Sequence, residues 1–105
     1  MDFNYILDEK GNPIPEDDYQ KWARWMFENE NNRKIAITNM NNYVISTVFL
    51  GVEDNSYLFE TWIFNPQGTD PINNDHLKYR TKKAALRGHL KAENKVRRRT
   101  IVLVN

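Results

Sequence analysis

The sequence predicts an α+β fold, an antiparallel β-meander sheet with two helices packed on one face. Three observations support this prediction. Apolar runs of strand length follow one another closely between residues 34 and 64, segments with helical apolar spacing lie on either side of them, and a 105-residue chain with 40% hydrophobic residues suffices for one core. We therefore expect a single domain, residues 1–105, with the element order β-α-β-β-β-α-β.

The N-terminal segment is predicted to form a short strand and the first helix. The stretch "NYILDEKGNPIP" is typical of a strand that enters a turn, since Gly11 tolerates positive φ and Pro13 fixes φ. Residues 16–29 then carry aromatic and apolar residues at helical spacing. Pro15 is a favourable opening residue for this helix because the missing N–H of proline costs nothing in a first turn.

Three strands are predicted to form the meander: residues 34–40 ("KIAITNM"), 43–52 ("YVISTVFLGV") and 57–64 ("YLFETWIF"). The two asparagines at 41–42 favour a tight turn between the first two strands, because asparagine tolerates left-handed backbone conformations. Residues 65–76 are rich in proline, glycine, asparagine and aspartate, and they are predicted to form the longest loop of the chain.

The C-terminal segment is predicted to form the second helix and a last strand. Thr81 is a favourable N-cap for a helix over residues 81–96. One face of this helix carries small residues, which allow a close approach to the sheet: Ala84, Ala85, Gly88, Ala92 and Val96. Residues 100–105, "TIVLVN", favour a final β-strand because they are mostly apolar and β-branched.

Two of the predicted strands carry polar residues at their centres, where a buried strand usually carries valine. Period-two alternation places Ser46 and Glu60 among large apolar residues. A buried carboxylate needs a partner, and His89 points with the small face of the second helix, so a helix that covers the Glu60 face would bring His89 to Glu60. Ser46, Glu60 and His89 therefore form a candidate pocket. Three interpretations stay open: a structural network or solvated sheet face, a ligand or acid–base site, and an interface.

Charge is distributed unevenly along the chain, although the formal net charge is only +1. Residues 1–30 contain eight acidic and three basic residues, whereas residues 77–105 contain ten basic residues and one acidic residue. This asymmetry favours an anionic partner at one end, or a homodimer in which oppositely charged surfaces meet. The predicted partner-binding residues are Arg87, Lys91, Arg97, Arg98 and Arg99.

Five stretches of the chain occur in an order that resembles a known family. They are "YILDEKGNPIP", "KWARWMFEN", "STVFLG", "LFETWIF" and "YRTKKAALRGH", and they span roughly residues 4–89. The order is similar to that of an uncharacterised family of small proteins encoded by phages and prophages. The matching motif positions are Ser46, Thr47, Phe49, Gly51, Phe59, Glu60, Thr61, Phe64, Tyr79, Thr81, Gly88 and His89. The resemblance implies an origin and not an activity.

The absence of some residue types and motifs narrows the classes of function. The chain has no cysteine, which excludes disulfides, thiolate metal sites and cysteine nucleophiles. We predict no metal site and no cofactor, and the lack of a recognisable catalytic triad favours binding over catalysis. No signal-peptide pattern or membrane-spanning run is recognisable, so we expect no membrane contact and a location in the host bacterial cytoplasm.

Together these features favour a phage or prophage accessory protein that binds a host macromolecule, most simply a host protein. Inhibition of antiviral defence is one form that such binding could take. Two alternatives remain. The basic C-terminal helix could bind nucleic acid directly, and Glu60 with His89 could bind a small ligand or act as an enzyme's acid–base pair.

Overall fold

The computed structural model describes residues 3–65 and 71–104, with side chains for 3–65 and 76–99, and it confirms the α+β fold. The elements in chain order are β1 (Tyr5–Leu7), β2 (Pro13–Pro15), α1 (Tyr19–Glu28), β3 (Lys34–Met40), β4 (Tyr43–Asp54), β5 (Tyr57–Phe64), β6 (Pro71–Tyr79) and α2 (Lys82–Val104). β1 and β2 form a two-stranded sheet. The other strands form an antiparallel four-stranded sheet in the order β3-β4-β5-β6.

Tight turns join the strands of the meander. Asn41 and Asn42 have φ values of 53° and 69°, which confirms the predicted turn between β3 and β4. Asn55 and Ser56 adopt the same left-handed region between β4 and β5. Both turns keep consecutive strands adjacent, so β3, β4 and β5 pair in register along most of their length.

The first helix begins later than predicted. The side-chain oxygen of Asp18 accepts hydrogen bonds from the backbone N–H groups of Gln20 and Lys21, at 3.0 and 3.2 Å, and so caps the first turn. Pro15 belongs instead to β2, where it pairs with Tyr5. The Asp18 side chain accepts from two N–H groups that have no partner within the helix, whereas a proline at the first helical position offers no side-chain acceptor.

Two predictions for the C-terminal half were wrong. Residues 100–104 continue α2 and do not form a strand, because no glycine or proline follows Gly88 to end the helix. Residues 71–76 were predicted to lie in a loop, but they form the first part of β6. Residues 66–70 of that predicted loop lie outside the described residues. At the other end of α2, the Thr81 side chain accepts a hydrogen bond from the Ala84 N–H at 3.1 Å, as predicted for an N-cap.

Both helices pack against the same face of the four-stranded sheet. The buried residues of that face alternate along β4 and β5: Ile45, Thr47, Phe49, Phe59, Thr61 and Ile63. Trp25 of α1 meets Phe49 edge to face, with ring centroids 5.9 Å apart. Ala85, Ala92 and Val96 of α2 complete the core. We call this the helix face, and we call the opposite side of the sheet the open face.

A close approach between α2 and β6 depends on Gly88. A methyl group at this position would overlap the Tyr79 phenol, which crosses the helix there. We predict that Gly88→Ala lowers the free energy of unfolding by about 1–3 kcal/mol, because overpacking outweighs the roughly 1 kcal/mol gain in helix propensity. Urea denaturation measures the change. Lys83→Ala on the exposed side of α2 is the matched control, and equal stability of the two variants would contradict the prediction.

Candidate functional site

A chain of polar side chains crosses the interface between α2 and the helix face of the sheet. His89 is only 5% exposed, and its two ring nitrogens each meet a threonine. Nδ1 lies 2.7 Å from Thr47 Oγ1, and Nε2 lies 2.8 Å from Thr38 Oγ1. Thr47 Oγ1 also lies 2.5 Å from Thr61 Oγ1, and Thr38 Oγ1 donates to Glu93 at 2.8 Å. We call these five residues the threonine–histidine network.

Glu93 stands at one end of this network, and its carboxylate sets the direction of every hydrogen bond in it. An ionised carboxylate only accepts, so the Thr38 hydroxyl donates to Glu93 and its oxygen accepts from His89 Nε2–H. A neutral imidazole then carries its lone pair on Nδ1, which accepts from the Thr47 hydroxyl. Thr47 in turn accepts from Thr61. The network is therefore satisfied with His89 neutral and protonated on Nε2.

Electrostatics favour the same protonation state. Burial lowers the pKa of His89, because desolvation disfavours the charged imidazolium, and the nearby Glu93 carboxylate offsets only part of this effect. A charged His89 would also force Thr47 to donate towards Thr61 and would leave the Thr61 proton in need of a new acceptor. The network thus fits a structural role that holds a neutral histidine between helix and sheet.

Glu60 lies on the open face, in a different environment. Its Oε2 is 2.8 Å from His76 Nε2, and the His76 ring stacks on Trp62 with centroids 3.5 Å apart and planes within 7°. Ser46 is on the same face, directly across from Trp62 and Ile37 on the neighbouring strands. This arrangement keeps Glu60 partly accessible to water and gives its carboxylate a direct partner.

The predicted contact between Glu60 and His89 is therefore wrong. The two side chains lie on opposite faces of the sheet, because α2 covers the face of Thr47 and Thr61 and leaves the Glu60 face uncovered. A cavity of about 340 Å³ beside Glu60 is bounded by Arg33 and Val48, among others, and His89 takes no part in it. Ser46, Glu60 and His89 do not form one pocket.

The predicted partner-binding residues divide into two groups. Arg87, Lys91 and Arg98 are exposed on α2. Arg97 is also exposed and donates to the Asn94 side chain at 2.7 Å. Arg99 is turned back towards the protein, with its guanidinium 6.0 Å from the centroid of the Tyr43 ring. The exposed arginines and Lys91 are thus available at the surface, whereas Arg99 packs on the end of the sheet.

Four residues around His89 and Glu60 were not predicted from the sequence. Thr38 and Glu93 complete the network around His89, and His76 and Trp62 form the environment of Glu60. A signal for His76 was present, because His76 and Lys78 alternate with Leu77 and Tyr79 as expected for a strand. The proline- and asparagine-rich composition just before them hid that signal.

Comparisons with other proteins add no family assignment: no protein-family model, curated protein or solved structure matches the chain at a significant level. Among the residues that the structure describes, no group of three or more histidine, aspartate or glutamate side chains is arranged to hold a metal ion. Within the same residues, no helix combines the length and apolar character needed to cross a bilayer.

The hydrogen-bond directions predict unequal costs for two isosteric substitutions. Thr47→Val leaves both His89 Nδ1 and the Thr61 hydroxyl without a partner, so we expect a loss of about 2–4 kcal/mol in unfolding free energy. Thr61→Val removes only a donor to Thr47, so the loss should be about 1 kcal/mol or less. Denaturant titrations of both variants measure the difference. A larger loss for Thr61→Val would contradict the assigned directions.

The lowered pKa of His89 predicts a pH-dependent stability. The folded state keeps His89 neutral while the unfolded state binds a proton below a pKa of about 6.5, so stability falls as pH drops below that value towards the folded pKa. The slope is at most about 1.4 kcal/mol per pH unit. We expect unfolding free energies measured between pH 7.5 and about pH 5 to show this loss in the wild type. His89→Gln should be less stable at pH 7.5 but flatter over this range, and parallel curves would contradict the prediction.

Proposed function

We propose that the protein is a binding protein that engages an acidic surface of a host macromolecule through the outer side of α2. In this proposal it serves a phage or prophage within the host bacterial cytoplasm, and an inhibitor of antiviral defence fits this description. The observation that carries the proposal is a row of exposed cations on one side of α2. We call this row the basic stripe: Lys83, Arg87, Lys91 and Arg98.

Helix geometry aligns these cations. The stripe residues are spaced by four, four and seven positions, so all four point away from the buried side that contains Ala85, Ala92 and Val96. From Lys83 to Arg98 the stripe extends about 22 Å at 1.5 Å per residue. An extended row of cations on a rigid helix suits an elongated acidic surface and speeds the encounter with it.

The inward turn of Glu93 leaves the basic stripe free of acidic neighbours on α2. Glu93 is the sole acidic residue between Lys82 and Val104 in the sequence, and its carboxylate accepts a hydrogen bond from Thr38. The threonine–histidine network therefore holds away from the basic stripe the one negative charge of α2 that could neutralise it. The hydrogen bonds that hold α2 on the sheet therefore also set the charge of its outer surface.

Exposed leucines beside the stripe favour a protein as the partner. Leu86 and Leu90 are 41% and 60% exposed and lie next to the cations on the outer side of α2. Apolar side chains gain free energy when they are buried against apolar groups, which protein surfaces provide and a phosphate backbone does not. A protein surface with carboxylates around an apolar patch matches both features.

Direct nucleic-acid binding is the second candidate, because the basic stripe by itself would also attract phosphates. The two candidates differ in how strongly the binding affinity depends on salt concentration and on the exposed leucines. Nucleic-acid affinity should fall steeply with salt and depend little on Leu90, whereas protein binding should depend on Leu90 as well as on the cations. The third possibility, an acid–base site of Glu60 and His89, has lost its geometric basis.

We predict that the double substitution Arg87→Glu, Lys91→Glu weakens partner binding by at least about tenfold, because two attractive contacts become repulsive. The wild type, immobilised, retains proteins from nuclease-treated host lysate, and dissociation constants are then measured for the purified partner. Lys21→Glu, Arg24→Glu on exposed α1 is a matched control with the same charge change and should bind normally.

Two outcomes would overturn the proposal. Equal weakening by the α1 and α2 double variants would show only a dependence on net charge. Retention of proteins from untreated lysate but not from nuclease-treated lysate, together with wild-type affinity of Leu90→Ser for nucleic acid, would support the nucleic-acid candidate instead.

A further inference from the structure

Most of the outer edge of β3 lacks the features that normally prevent edge pairing: a register shift between Lys34 and Ala36 marks its start, and its pairing with β4 is regular from Ala36 to Met40. In the sheet order β3-β4-β5-β6, β3 is a terminal strand, and its described pairing is with β4 alone. The strand is seven residues long and contains no proline, and its sole charged residue, Lys34, stands at its start. An edge without central charges or proline readily accepts another strand.

Exposed apolar side chains lie along the same edge. Ile37, at the middle of β3, is 50% exposed on the open face. On the other face, Leu86 and Leu90 lie on the side of α2 that passes over β3. Leu90 precedes Glu93 by three residues and therefore lies on the same side of α2. The Glu93 carboxylate accepts a hydrogen bond from Thr38 of β3, so this side of the helix lies over β3. Apolar groups thus lie above and below an unpaired row of backbone donors and acceptors.

We propose that this edge is the interface for a second copy of the chain. In the proposed dimer, β3 pairs antiparallel with β3 of the second copy about a two-fold axis at Ile37. Such an interface is isologous and closed, so each edge satisfies the other and no free β3 edge remains. Regular pairing about Ile37 places Ala36 of one copy opposite Thr38 of the other, and Lys34 lies before the register shift at the far end of each strand, so the two lysines do not face each other.

Antiparallel pairing about an axis perpendicular to the sheet keeps corresponding residues on the same face. The two Ile37 side chains therefore meet on the open face, while both α2 helices lie on the helix face of one continuous sheet. Leu86 and Leu90 of each copy then line a groove across the two-fold axis. Both basic stripes point outward on the same side, which gives the dimer two equivalent sites for an acidic partner.

A cysteine-free chain allows a direct test of this register. Ile37→Cys introduces a single thiol, and Cα atoms of directly paired antiparallel residues are about 4.5–5.5 Å apart, within the range of a disulfide. We expect mild oxidation to convert most of this variant into a covalent dimer. In Asn39→Cys the two thiols would be displaced by four residues, about 13 Å, and should not cross-link efficiently.

Sedimentation measures the assembly without a cross-link. The wild type should sediment with twice the chain mass of 12.5 kDa, and Ile37→Lys should sediment as a monomer with an unchanged circular-dichroism spectrum. Ile14→Lys is the matched control, because Ile14 is also partly exposed, at 40%, but lies in β2. A monomeric wild type at 0.1 mM overturns the proposal, and so does a dimer that persists in Ile37→Lys. Equal cross-linking of Ile37→Cys and Asn39→Cys would do the same.

This test is independent of the proposed function. Loss of the dimer in Ile37→Lys can be scored without any partner, and partner binding can be measured on the monomer. Failure of partner capture by a wild type that sediments as a dimer would leave the interface in place and contradict only the proposed function.

Discussion

The hydrogen bonds of His89 hold α2 in one position on the sheet. His89 is buried, and its two ring nitrogens bond to threonines on two different strands, Thr38 on β3 and Thr47 on β4. Shifting α2 by one turn, or rotating it, would leave several buried polar groups without partners, each at a cost of about 1–3 kcal/mol. Apolar packing alone would tolerate such shifts better, because Ala85, Ala92 and Val96 are small and similar. The network therefore specifies which side of α2 is buried.

That specification determines the outer surface as well. With His89 turned inward, the residues on the opposite side of the helix must face solvent, and these are the cations of the basic stripe. The same network draws in Glu93, the only carboxylate on α2. A structural feature of the interior thus produces a surface of one charge sign. Under the proposed function, this coupling lets polar residues at strand centres affect binding without contacting a partner.

Much of the fold was predictable because local signals agreed with one another. Alternating apolar residues indicated the meander, asparagines at 41–42 indicated its first turn, and spacing from Ala85 and Ala92 placed His89 on the buried side of α2. Alternation defines two faces of a strand but does not say which one a helix covers. Both faces of β5 mix apolar and polar residues, so the sequence could not decide between Thr61 and Glu60 as the group near His89. The structure places Thr61 there and pairs Glu60 with His76.

Errors at the C-terminus have a different cause. The apolar, β-branched residues after Thr100 have high strand propensity, yet an existing helix extends at low cost when no breaker intervenes. Arg99 was grouped with the exposed arginines, although its spacing of three from Val96 places it on the buried side, where it lies over Tyr43. The predicted binding residues did not include Lys83, although its spacing of four from Arg87 places it in the same row. For both residues, helical spacing and not charge alone determines whether the side chain faces the sheet or solvent.

The most direct test of this account is the protonation state of His89 in the folded protein, which nitrogen-15 NMR of the imidazole ring reports. The account predicts, at pH 7, a single neutral form with the proton on Nε2 and a bare Nδ1, and resistance to protonation relative to a free histidine. A ring protonated on Nδ1, or one that averages rapidly between the two tautomers, would contradict it. Such a ring could not be held between Thr38 and Thr47 in the assigned way.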